Sequence, residues 1–252
     1  MAEIVMTPTD KVIYRLKNLT PKPIRRFARQ ILPGKERRYV GTDKVSGELQ
    51  AELLKREGCT PDSKVLELGC GHLHAGVPLM RYLKKGNYVG VDPNEWLRQH
   101  AMKKRHVRHL VEEKQARFLT VDTFDASSLG IKFDFILSHS VLSHCAHWQL
   151  EQFIRNASKV LAPTGKLLVS ICLAEGNAFG SPGTPNREDS MDKEWVYPGS
   201  SWFKLSTVKT TAELHGLSVN CLAAYTEFYT KVRPDEYHDW LVFCSKAAGR
   251  IE

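Results

Sequence analysis

Short runs of consecutive apolar residues alternate along the chain with segments whose apolar positions recur every third or fourth residue. The first pattern predicts buried strands, the second amphipathic helices. A helix is expected over residues 44–57, where Leu49, Leu53 and Leu54 share a face. A first strand at about 64–68 (KVLEL) leads to a helix at about 75–84. A second strand at about 87–91 leads to one long basic helix from about 95. Strands three and four are expected near 116–121 and 133–138. HWQLEQFIRNASKVL sets Leu150, Phe153, Ile154, Ala157 and Leu161 on one helical stripe, ended by Pro163 and Gly165, and KLLVSICL makes strand five. Residues 176–201, rich in Gly, Pro and Ser, show no periodicity. A short helix in LSTVKTTAELHG, a strand near 218–225 and a last strand near 239–245 complete the pattern.

Alternating strands and helices with continuous apolar strands predict a mainly parallel sheet covered on both faces. Ligands of such sheets bind beyond the carboxyl ends of the strands. GCGHLHAG, after strand one, stands at that place, and its glycines allow close approach of the backbone to a ligand. Asp92, at the tip of strand two, is placed to accept hydrogen bonds from ribose hydroxyls. A nicotinamide cofactor is disfavoured, because the GxGxxG spacing fails and no Tyr-x-x-x-Lys pair is present. Glu67 inside strand one would repel a pyrophosphate and suits a ligand with positive charge.

Charge changes the picture mainly at two segments. Between Lys11 and Arg38 stand ten Lys/Arg against Glu36 alone, within a chain of net charge +8. The second run is Arg98, Lys103, Lys104, Arg105 and Arg108. Such segments attract phosphate-bearing partners, RNA or an anionic membrane face. Ile24, Phe27 and Ile31 share helical spacing with the first run, so residues 1–43 are expected to form a basic helical extension or lid. The six scattered cysteines form no CxxC pair, so a structural metal site is not expected and the working compartment is a reducing cytosol. No apolar run long enough to span a bilayer, and no secretory leader, is read in the sequence.

VLELGCG (Val65 to Gly71), YVGVDP, FDFILSHSVLSHC (Phe133 to Cys145) and VLAPTGKLLVSI (Val160 to Ile171) keep an order and spacing over about 110 residues that resembles the class I S-adenosylmethionine-dependent methyltransferases. That resemblance implies a Rossmann-like, doubly wound α/β sheet of seven strands in the order 3-2-1-4-5-7-6, the last strand antiparallel, over residues 44–252. It implies S-adenosylmethionine as cofactor. Glu67, Gly69 and Gly71 would line its amino-acid portion, Asp92 its ribose, and Ser138 the sulfonium. Asp122, Thr123 and Phe124 would lie by the adenine, with Asp125 an alternative to Asp122. Tyr39 and Gly41, before the first core helix, would close the site.

A sulfonium methyl is already electrophilic, so catalysis needs mainly alignment of the acceptor atom. A hydroxyl acceptor also needs a base, and histidine titrates in the right range. SHSVLSHCAH, after strand four, supplies His139, His144 and His147, with His144 ahead of His139 as the expected base. His72 and His74 in the glycine loop could reach a substrate phosphate or carboxylate. Acceptor contacts are expected from the aromatic loop at about 176–204, through Trp195, Tyr197 and Trp202. The whole predicts O-methylation of a small molecule, such as a saccharide or natural product. An RNA methyltransferase and a non-catalytic cofactor-binding protein are the alternatives. No Asn/Asp-Pro-Pro-Tyr motif or RNA-binding module supports the former.

Overall fold

The computed structural model describes residues 44–180, 200–233 and 238–246. Residues Ser46–Glu252 form one compact unit. The basic N-terminal extension, Tyr39, Gly41, Trp195 and Tyr197 lie outside the described residues.

Helix α1 (Lys44–Arg56) precedes strand β1 (Val65–Leu68), helix α2 (Gly76–Tyr82) and strand β2 (Tyr88–Val91). Helices α3 (Glu95–Met102) and α4 (Arg105–Lys114) lead to β3 (Arg117–Leu119), then β4 (Phe133–Ser138), α5 (His147–Val160) and β5 (Leu161–Ile171). Three short strands, β6 (Leu173–Ala174), β7 (Ala178–Gly180) and β8 (Ser200–Lys204), precede α6 (Leu205–Leu214), β9 (Leu217–Cys221), α7 (Ala223–Val232) and β10 (Asp239–Ser245).

The main sheet has the order β3-β2-β1-β4-β5-β10-β9, the arrangement expected, with β10 antiparallel to both neighbours. Every residue of β1 and β2 is buried, which is why both read as apolar runs apart from Glu67. Edge strand β3 is short and partly exposed, with Arg117 at its start, a composition that discourages further pairing. On one face Leu150, Phe153, Ile154 and Ala157 of α5 pack with Val208 and Ala212 of α6 into the main core.

Three elements differ from expectation. The long basic helix is two helices. A continuous helix burying Leu97 and Ala101 would carry Lys104 and Arg108 inward next. The chain instead goes extended at Lys104 (φ −76°, ψ 115°), and Val107 takes the buried place while Arg108 stays exposed. The strand read to residue 225 stops at Cys221. The chain turns at Leu222, whose N–H donates to the Trp240 carbonyl (2.8 Å), and α7 begins, burying Tyr225 and Tyr229 one turn apart. The borders of the aperiodic stretch form a second small sheet, β6-β8-β7. Asn177 ties it to α6: its carbonyl oxygen accepts from the Lys204 N–H (2.7 Å) and its amide donates to Thr207 Oγ1 (3.1 Å).

Candidate active site

Strand order reverses between β1 and β4, so the crevice beyond their carboxyl ends is the expected ligand position. Two loops meet there without room to spare. Gly69 has φ +83°, and a Cβ at this position would stand 2.2 Å from Val141 Cγ2 in the loop after β4. Only glycine meets both demands, because the left-handed backbone and the close neighbour each penalise a side chain. The Gly69 N–H donates to the Val91 carbonyl (2.8 Å) and the Gly71 N–H to Asp92 Oδ2 (2.9 Å), stitching the loop to the end of β2. The second Asp92 oxygen accepts from the Asn94 N–H (2.7 Å).

Asp92 is 7% exposed, and burial pushes its carboxyl up against the opposing pull of these backbone donors and of Arg98. Each carboxylate oxygen has a second lone-pair direction, so the group can still accept from a ligand diol. Glu67, buried between β2 and β4, accepts a hydrogen bond from the Tyr88 hydroxyl. Burial pushes it up to about 8, with Asp92 raising it further and the Tyr88 bond opposing. A cation placed nearby would draw off that proton, because an opposite charge favours the ionised form.

Strain gathers at the same edge. Leu73, Phe124 and Ser140, in the loops after β1, β3 and β4, all have left-handed φ of 58° to 60° without being glycine. Such residues cost on the order of 1–2 kcal/mol each, and they concentrate where a site fixes the backbone. The Ser140 N–H is held by Ser170 Oγ of β5 (2.8 Å). Ser138 Oγ, at the end of β4, is fully buried and has no hydrogen-bond partner among the described residues.

Residues 66–167 match the family described as a methyltransferase domain. Over those residues the chain is similar to methyltransferase domains, and its fold is that of solved S-adenosylmethionine-dependent methyltransferases. Solved structures agree on the fold. An S-adenosylmethionine-dependent methyltransferase from Clostridium acetobutylicum is 14% identical, with TM-score 0.60 over 93% of this chain and 99% of its own. The glycopeptide N-methyltransferase MtfA is 14% identical, with TM-score 0.59 over 96% and 99%. The magnesium protoporphyrin IX methyltransferase of Synechocystis, solved with bound S-adenosylmethionine, is 18% identical, with TM-score 0.53 over 96% and 99%.

In this chain, Glu67, Gly69, Gly71, Asp92 and Ser138 all stand at the carboxyl ends of β1, β2 and β4. Asp122 and Thr123 are exposed after β3, whereas the Phe124 ring turns into the core against Phe153 (5.3 Å between centroids). Asp125 accepts from the Ser127 N–H (2.8 Å), and its carboxyl is held below the ordinary range chiefly by Ser127, with Lys159 helping. Among the described aromatics of the 176–204 loop, Trp202 lies on β8, where its carbonyl is 3.3 Å from His147 Nε2. His144 ends a 3₁₀ turn (Leu142–His144) and is part-exposed. His139 follows Ser138 directly and touches residues that the sequence did not single out: Tyr229 of α7 and Trp240 of β10. A Tyr225/Tyr229 pair at helical spacing was the available signal, masked by reading that stretch as strand. His72 makes edge contacts with His74, Trp96 and His100. Among the described residues no cluster has the geometry to hold a metal ion.

Proposed function

We propose that this protein transfers the methyl group of S-adenosylmethionine to a hydroxyl of a small-molecule acceptor, such as a saccharide or natural product. The cofactor supplies an electrophilic methyl carbon on a positively charged sulfur. The observation that carries the reading is the pair of buried carboxyls, Glu67 and Asp92, on either side of a glycine loop that admits no side chain at Gly69. Asp92 would accept from the ribose, Gly69 and Gly71 would lie along the amino-acid portion, and Glu67 would balance positive charge. The unpartnered Ser138 hydroxyl would face the sulfur, and Asp122 and Thr123 would flank the adenine. Tyr39 and Gly41 would close the site, and Trp195, Tyr197 and Trp202 would hold the acceptor. A histidine after β4, His144 or His139, would take the acceptor proton. Both relatives with named acceptors, the porphyrin and glycopeptide methyltransferases, act on small molecules, which supports this acceptor class.

The six free thiols fit a reducing cytosol, and no helix among the described residues is long and apolar enough to cross a membrane. The basic segment between Lys11 and Arg38 would attract an anionic lipid face or a phosphate-bearing acceptor.

Calorimetric titration with S-adenosylmethionine tests the reading. The wild type should bind, and a folded Asp92→Ala variant should lose about 1–3 kcal/mol, or roughly 5- to 150-fold in affinity. Equal affinity in the two proteins would displace the site from β2.

A further inference from the structure

We propose that Tyr88 positions Glu67 for the cofactor, and that S-adenosylmethionine binds by expelling a proton from this buried pair. This rests on the methyl-transfer reading above, in which Glu67 balances positive charge. Glu67 lies inside the sheet, with Gly90 of β2 and Leu137 of β4 as its strand neighbours. The hydroxyl of Tyr88, two residues before Gly90 on β2, meets its carboxyl. Both side chains are buried, the tyrosine almost completely (1% exposed).

Tyr88 has no room to turn away. A Cβ on Gly76, the first residue of α2, would stand 2.5 Å from Tyr88 Oη and 3.0 Å from Cζ, so the helix rests on the hydroxyl. The ring also meets Phe118 of β3 edge-on (6.1 Å between centroids, 68° between planes). The gap left by Gly90 is filled as well: a Cβ there would stand 2.9 Å from both Cys70 Sγ and Phe118 Cδ1.

The titratable groups that face Glu67 are the Tyr88 phenol, the Cys70 thiol and the Asp92 carboxyl. Burial pushes the phenol and the thiol well above their ordinary ranges, so neither is charged at neutral pH. Arg98 of α3 acts on Asp92 and Cys70, while its guanidinium is engaged by Glu95 (2.9 Å) and the Phe118 ring (4.8 Å). Among the described residues no Lys, Arg or His pairs with Glu67. A carboxyl so placed is neutral in the ligand-free protein, because burial without a cation disfavours the charged form.

The proton step balances without a co-reactant. As the cationic ligand arrives, the Glu67 O–H bond breaks, its electron pair stays on the carboxylate, and the proton leaves to solvent. An ionised carboxylate can only accept, so the Tyr88 hydroxyl donates to it. This charge-assisted bond favours the ionised form and fixes where its charge stands. Tyr88 thus acts through Glu67 and sets the pH above which the cofactor is held tightly.

The experiment is calorimetric titration of the full chain with S-adenosylmethionine from pH 6 to pH 9, in two buffers of different protonation enthalpy. At pH 7 the wild type should release close to one proton per ligand more than Glu67→Gln does. Taking the difference cancels titration of the ligand's own amino group. Relative to Glu67→Gln, wild-type affinity should rise by up to about tenfold per pH unit and level off near pH 8. In Tyr88→Phe the levelling should move up by about one to two pH units, because the carboxylate has lost its donor. Its affinity at pH 7 should be about 10- to 100-fold below wild type, a gap that closes as pH rises. Gly76→Ala, whose methyl group crowds the Tyr88 oxygen, should shift the curve in the same direction. A loss that is equal at every pH in these variants makes Tyr88 a structural residue only and overturns its role. Equal proton release by the wild type and a folded Glu67→Gln variant overturns the inference alone, as does a wild type that binds and releases no proton. Failure of the wild type to bind S-adenosylmethionine overturns the methyltransferase reading and the inference with it.

Discussion

The two halves of the crevice are built in opposite ways. On the β1–β2 side the site is mostly backbone: Gly69 and Gly71 turn where side chains do not fit, and Asp92, close in sequence, gathers two N–H groups. On the β4 side it is mostly side chains from distant elements, with His139, Tyr229, Ser46 and Trp240 drawn from the loop after β4, α7, α1 and β10. A backbone cradle tolerates little substitution but needs few residues, so it suits the part of a ligand that does not vary. A side-chain cluster can be rebuilt one residue at a time, which suits the part of a ligand that varies.

Substitutions on each side should separate the two modes of construction. Gly69→Ala should have the largest effect. It combines a left-handed backbone with a methyl group 2.2 Å from Val141 Cγ2. The expected loss is about 2–5 kcal/mol of stability, read by urea denaturation, because strain and overpacking add.

Glu67 should show itself through pH. Its folded-state value of about 8 lies above its ordinary 4.5, so between the two the native protein holds one proton that the unfolded chain has released. Stability of the ligand-free protein should therefore be greatest below pH 4.5 as far as this group is concerned. It should fall by about 1.4 kcal/mol per pH unit across that window and level off above pH 8. Glu67→Gln keeps an acceptor for Tyr88 and should remove that component of the slope. An identical pH profile in the two proteins would mean that Glu67 is ionised in the folded protein.

Tyr229→Phe tests the side-chain half. It leaves the ring in place but strips Ser46 and His139 of a partner, which should cost about 1–2 kcal/mol while cofactor affinity holds near wild type. A large loss of cofactor affinity would show that the two halves are not separable. The smallest effect should distinguish the two acids after β3. Asp125→Ala should lower stability by about 0.5–1 kcal/mol through the lost bond to the Ser127 N–H, with affinity unchanged. Asp122→Ala should leave stability alone and weaken cofactor binding. The reverse outcome would exchange their roles.

The same contrast explains what could be read in advance. The cradle was legible because its residues are local: strand, glycine turn and acidic tip fall within about 30 residues, and the physics forces particular residue types at fixed spacing. The strands were legible because buried strands leave mostly apolar runs, whereas their order came only from the resemblance that the motifs carry. The contact of Tyr229 with Ser46 and His139 was not, since Ser46 and Tyr229 stand 183 residues apart and nothing in either neighbourhood points to the other. Helix α7 was hidden by Leu222, Ala223, Ala224 and Tyr225, an apolar run that fits a strand as well as a helix until Tyr229 restores the longer period. The break between α3 and α4 carries no glycine or proline. It shows only as two charges on the stripe that a straight helix would have buried.

Trp240 lies on a strand inserted between two others, since β10 pairs with β5 on one side and β9 on the other. That placement imposes a schedule on the growing chain. Strands β1 to β5 and the glycine loop leave the ribosome early and can pair with one another, whereas Tyr229 follows His139 by 90 residues. Synthesis proceeds at about 5–20 residues per second, so the glycine-loop half has several seconds in which to form before the tyrosine is made. Until β10 slots beside β5, that strand has an open apolar edge, and His139 lacks the ring on which it stacks. The nascent protein therefore completes the glycine-loop side of the crevice before the side on which His139 is packed.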